Sequence, residues 1–92
     1  MSTYFMFGKY SSEAIKGVSP ERTKKANDII LKLGGEIVAQ YGLLGYRDLV
    51  LIVNLPGVEE VFQASANLYK LTGVSFSSFP AITIEKFDEI LT

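Results

Sequence analysis

Thr3-Tyr4-Phe5-Met6-Phe7-Gly8-Lys9 is the stretch on which the fold turns. Four bulky apolar residues in a row, closed by a glycine, are too few and too wide for a helix, so the run reads as a strand buried on both faces. Such a strand belongs in the middle of a sheet. A second central strand is predicted from Arg47 to Leu55, where Leu49-Val50-Leu51-Ile52-Val53 is the strongest β-branched run of the chain, broken by Pro56-Gly57.

Helical periodicity occupies the ground on either side. Ser19-Pro20-Glu21 combines a capping serine, a proline tolerated at the first helical position and an acid at the positive end of the dipole. Ala26, Ile29, Ile30 and Leu33 then form one apolar stripe, stopped at Gly34-Gly35. Val58, Val61, Phe62, Ser65, Ala66 and Tyr69 repeat the pattern up to Gly73. A serine-capped helical turn is expected near Ala14 to Gly17.

Glu36 to Leu43 alternates weakly, with Ile37, Ala39, Tyr41 and Leu43 expected on one face and Val38, Gln40, Gly42 and Leu44 on the other. Val74 to Thr83 is serine-rich and holds Pro80, which cannot donate a ladder bond, so it reads as an edge strand. Ile84 to Leu91 carries Ile84, Phe87 and Leu91 at helical spacing and would have to dock on the domain or on a partner.

The order is β-α-β-β-α-β over residues 1–92, taken as a single domain. It predicts an α+β, ferredoxin-like sandwich: a four-stranded antiparallel sheet with two helices on one face. The other face is left bare, yet whichever register holds it carries either Phe5 and Phe7 or Tyr4 and Met6. Two such sheets packed face to face would cover it, at roughly 800 Å² per partner. The expected partner is therefore a second copy, in a homodimer through the open sheet face or in a higher oligomer. Composition agrees, since a chain of 92 residues that is 48% hydrophobic has more apolar surface than one small core absorbs.

A net charge of −1 offers no cationic field for nucleic acid or anionic lipid, so neither is expected as a partner. No apolar run approaches the roughly 20 residues of a membrane span, and the opening residues lack a basic n-region. The expected location is cytoplasmic. With neither His nor Cys, zinc, haem through histidine and thiolate or imidazole catalysis are removed from consideration, so no metal and no cofactor is expected. Gly34-Gly35, Gly42 with Gly45, and Pro56-Gly57 lack the spacing of phosphate loops and read as turns and helix stops.

Tyr4-Phe5-Met6-Phe7-Gly8-Lys9-Tyr10 with Ser12-Glu13, Pro20-Glu21-Arg22, Leu33-Gly34-Gly35-Glu36-Ile37 and Tyr41-Gly42-Leu43-Leu44-Gly45 leading to Asp48 together resemble the GYD-domain family. Those are small proteins of the dimeric α/β-barrel group within the ferredoxin-like folds. The family signature, glycine, any residue, tyrosine, aspartate, is met by Gly45 and Asp48, whereas Arg47 stands at the tyrosine position and Tyr46 precedes it by one. The resemblance implies fold and dimer; the family's biochemical function is largely unassigned, and it brings no catalytic residue with it.

The candidate ligand-binding residues are Tyr41, Arg47, Asp48, Tyr4 and Tyr10. Arg47 and Asp48 fall at the mouth of a central strand, where consecutive side chains point to opposite faces. The bland alternative is that Asp48 ties down the connection or pairs with Lys9, and that Arg47 is a solvated or inter-subunit cation. A tyrosine at the rim of an apolar cleft can hydrogen-bond a carbonyl or phenolic ligand, although such residues more often complete a core or an interface. Ser75, Ser77 and Ser78 have no neighbouring base and are not read as nucleophiles. The functional expectation is a homo-oligomeric small-molecule-binding or structural module with an apolar, aromatic cleft between sheet and helices. The alternative is a cofactor-independent monooxygenase- or isomerase-like enzyme working by positioning and desolvation.

Overall fold

The computed structural model describes residues 1–92 and sets out eight elements: β1 (Ser2–Lys9), α1 (Ser12–Lys16), α2 (Pro20–Lys32), β2 (Glu36–Gly42), β3 (Leu49–Leu55), α3 (Val58–Thr72), β4 (Ser75–Ala81) and α4 (Ile84–Leu91). The four strands form one antiparallel sheet in the order β2-β3-β1-β4, so both doubly apolar strands are central and the serine-rich strand is an edge. With α2 and α3 packed side by side against it, this is the ferredoxin-like β-α-β-β-α-β arrangement. No helix is long and apolar enough to cross a membrane.

Local chemistry starts and stops the helices as the residues require. Ser11 Oγ accepts from Ala14 N and Ser19 Oγ from Arg22 N, each at 3.0 Å, satisfying amides that a helix start leaves free. At the end of α2, Gly34 N donates to Leu31 O at 3.0 Å and Gly35 N to Ile30 O at 3.1 Å, the crossed pair of a Schellman stop.

Strand alternation decides which aromatics go where. Tyr4, Met6, Leu51, Val53 and Leu55 turn toward the helices and form the core with Ile30, Val61, Ala64 and Leu68. Phe5 and Phe7 turn the other way, opposite Ile52 and Val50 on β3 and Phe79 and Ser77 on β4. Only 13 of the 92 residues are buried, a core too small for so apolar a chain, and exposed apolar side chains remain on the open face (Tyr41, Phe79), on α3 (Phe62, Tyr69) and along α4.

Two details of the sequence reading are corrected. Ile37 and Ala39 do not share a face: the register shifts between them, so Ile37 joins Val53 beneath the helices while Ala39 and Tyr41 join Ile52 and Val50 on the open face. Arg47 and Asp48 do not belong to β3, which starts at Leu49; they close the bend between β2 and β3.

Candidate functional site

A cleft of about 300 Å³ opens between α3 and the β1–β4 side of the sheet, lined by Tyr4, Val58, Val61, Phe62, Ser65, Phe76, Ser78 and Pro80. Its cause is the side-chain sizes on β4. The helix-facing positions of that strand are Phe76, Ser78 and Pro80, paired with Gly8, Met6 and Tyr4 on β1. Two of the three are small or compact, so α3 spans a space that no β4 side chain fills. Val61, Ala64 and Leu68 hold α3 on the core, while Phe62, 74% exposed, stands at the mouth. A shallower groove of about 450 Å³ shares Phe62, Ser65 and Phe76 and continues to Tyr69 and Ser75.

The volume falls at the lower end of the range for small-molecule sites, and the lining has the usual make-up of apolar walls with a few polar points. Those points are the hydroxyls of Tyr4, Ser65 and Ser78. Tyr4 is 5% exposed and its phenol meets no hydrogen-bond partner within the chain, yet no buried side-chain polar atom is left both sealed and unpartnered. Its hydroxyl therefore keeps some exposure, and Tyr4 is among the residues that line the cleft. No carboxylate, amine or guanidinium lines the space.

The other four candidates lie elsewhere, in two groups. Asp48 Oδ2 accepts from Tyr10 N at 2.8 Å and lies 3.8 Å from Lys9 Nζ. Its backbone N donates to Gly8 O at 2.9 Å and its carbonyl accepts from Leu43 N at 2.8 Å. One residue thus ties the ends of β1 and β2 to the start of β3. Gly45, with φ +150°, provides the turn that brings it there. Two cations lie over the Tyr46 ring, Arg47 at 5.0 Å and Lys9 at 5.6 Å from its centroid. Arg47 is thus stacked on the tyrosine that precedes it. Tyr10 lines a small hollow of about 60 Å³ with Arg22, Gln40 and Thr72. Tyr41, 61% exposed, stands on the open face of edge strand β2.

The five candidates therefore do not converge; of them only Tyr4 lines the main cleft. Phe62, Ser65, Phe76, Ser78 and Pro80 were missed because no charge or motif marks them. The available signal was the serine and proline at alternate positions of a strand facing a helix.

The Asp48 knot carries a stability prediction. Asp48→Ala leaves Tyr10 N–H without its acceptor and is expected to cost about 1.5 kcal/mol, while Asp48→Asn, which keeps an acceptor and loses only the exposed ion pair, should cost less than about half of that. Urea midpoints of the two variants check this; equal losses would mean that charge and not the hydrogen bond holds the bend.

Comparison with known proteins adds a family and a fold. The family model for the GYD domain matches residues 4–91. No curated protein matches the chain. Among solved structures, the chain is similar to the crystal structure of the Mycobacterium tuberculosis leucine response regulatory protein (LrpA), with a TM-score of 0.59 and 12% identity, over 89% of this chain and 51% of that one. The chain thus spans about half the length of that protein, and at this identity the likeness is one of fold.

Proposed function

The chain belongs to the GYD domain family, and from that premise we propose that it is a homo-oligomeric module that holds a small apolar or aromatic molecule in the cleft beneath α3. The observation that carries this is the buried Tyr4 phenol, unpartnered in the chain, in an apolar cleft of about 300 Å³. A guest with one carbonyl, hydroxyl or ring N–H would satisfy the phenol, which can donate or accept, with Ser65 and Ser78 as further partners, and would bury its remainder against Phe62, Phe76 and Val61. Since the phenol is the one titratable group lining the cleft, the arrangement is fitted to holding a molecule more than to converting one.

The homo-oligomeric part rests on the open face. Phe5 and Phe7 have ring centroids 6.4 Å apart, and Phe79 meets Phe7 edge-on at 5.8 Å. A polar row crosses one end of this patch, Thr3 Oγ1 to Asn54 Oδ1 at 2.6 Å and Asn54 Nδ2 to Glu36 Oε1 at 2.9 Å, and Lys9 marks the other. An apolar centre with a polar margin is the anatomy of a protein interface.

Binding is tested with indole and p-cresol as probes, by amide chemical-shift mapping. The expected result is perturbation around Ser65 and Ser78, abolished by Ser78→Leu, which fills the cleft, and weakened about tenfold by Tyr4→Phe through loss of one hydrogen bond. Shifts confined to the open face, or binding unaffected by Ser78→Leu, would overturn the assignment of the site. Native mass spectrometry of protein from its own host would then report the subunit number and the mass of any retained guest.

A further inference from the structure

Helix α4 has an apolar side that meets no substantial surface of its own chain. Thr83 Oγ1 accepts from Lys86 N at 3.1 Å, so the helix is properly started. Ile84, Phe87, Ile90 and Leu91 fall along one side of it, each at least 48% exposed, while Glu85, Lys86, Asp88 and Glu89 occupy the other. None of the substantial element-to-element packings of the chain involves α4. At 8 residues it is shorter than the roughly 12–15 at which isolated helices become even marginally stable in water, so its helical form calls for a docking surface.

Its point of departure says which surface. Ala81, Ile82 and Thr83, together with Thr3 and Phe5, line a hollow of about 240 Å³. Thr3, Phe5 and Ala81 are open-face residues, so α4 leaves the sheet at the margin of the unpartnered face. The radius of gyration, 13.7 Å, exceeds the roughly 12 Å of a compact chain of this length, as a protruding element requires.

Area then argues for a second copy. Four strands about 4.8 Å apart and about 23 Å long have a flat footprint of roughly 440 Å², so even with side-chain relief the face alone stays near the small end of stable interfaces, which bury roughly 800 Å² of accessible surface per partner. A helix about 12 Å long and about 10 Å wide adds roughly 120 Å² of footprint where it docks and the same again where the partner's helix is received, enlarging the contact by about half.

We propose that α4 is an exchanged arm, laying its Ile84, Phe87, Ile90 and Leu91 side on a second copy of this chain at the margin of the sheet-to-sheet contact. The proposal rests on the self-association reading above and goes beyond it, because it makes the arm part of the interface.

The test uses the full chain with p-benzoylphenylalanine in place of Phe87, irradiated in a mixture of isotope-labelled and unlabelled protein. The expected product is a mixed-label covalent dimer joined through position 87; cross-links found only within one chain would overturn the proposal. In parallel, sedimentation of the double variant Phe87→Ser, Leu91→Ser should show a dimer dissociation constant raised about tenfold or more, with a circular dichroism spectrum that loses at most the contribution of this one short helix, since these side chains are outside the core. A wild-type dimer that the double variant leaves unchanged would overturn the arm while sparing the dimer. A monomeric wild type would overturn both.

Discussion

Gly35→Ala is expected to destabilise the protein by about 3 kcal/mol, and Gly34→Ala by about 1 kcal/mol, although the two glycines are adjacent and end the same helix. Gly34 has φ +81° with only Pro56 Cγ near its missing Cβ, at 3.5 Å, so alanine there suffers left-handed backbone strain and little else. Gly35 has no such φ, but a Cβ on it would fall 2.6 Å from Asn54 O, 2.6 Å from Leu55 Cδ2 and 3.2 Å from Ile30 Cγ2. Leu55 and Ile30 are fully buried, and Asn54 O is backbone of a central strand, so none of the three can move aside cheaply. The methyl group would have to push the start of β2 away from β3. Because domains of this kind are stable by only about 5–15 kcal/mol, a loss of 3 kcal/mol is readily measured as a fall in the urea midpoint at fixed protein concentration. The reverse ranking would mean that the chain turns at Gly34-Gly35 without the close approach described.

This pair shows where sequence reasoning runs out. Gly34-Gly35 is legible as a helix stop, since two glycines after an apolar stripe have few other uses, but that Gly35 also seats β2 against β3 depends on a long-range approach that no local pattern encodes. The same division holds across the fold. Tyr4 to Phe7 and Leu49 to Val53 are identifiable as central strands because doubly apolar runs have one stable location, α2 because its serine cap and stripe agree, and α3 because its stripe runs to the glycine stop at Gly73. The face assignments of β2 failed at Val38, since a single extra residue in an edge strand reverses every side chain beyond it and leaves no mark in a weakly alternating segment. Sequence reasoning picked Tyr4 out for its phenol. It passed over Ser65 and Ser78, because a cleft is made by what is too small to fill it. Arg47 and Asp48 drew notice as the charged pair beside a central strand. Asp48 is engaged in tying three strand ends together, and Arg47 is stacked on Tyr46.

In the proposed sheet-to-sheet dimer, Phe7→Asp is expected to abolish self-association, raising the dissociation constant by about a thousandfold or more, the order expected when an interface centre loses an aromatic anchor and gains an unpaired buried charge. Phe7 is placed for that role. It lies between Val50 and Ser77 on the open face, with the rings of Phe5 and Phe79 at 6.4 and 5.8 Å, and it takes no part in the core cluster under the helices. In a monomer Phe7 is half-buried beside Phe5 and Phe79, so the new carboxylate can reach water and costs the modest strand preference plus the lost ring contacts, about 2 kcal/mol. The variant should therefore be folded and monomeric by sedimentation, while Phe7→Leu stays dimeric. A Phe7→Asp protein that still dimerises with the wild-type constant would move the interface to the sheet edges or the helices. The same variant also separates site from assembly. The cleft lies on the opposite side of the sheet from Phe7 and draws its lining from one chain, so a monomeric Phe7→Asp protein should still bind indole. If binding were lost together with the dimer, the site would need a second copy to complete it.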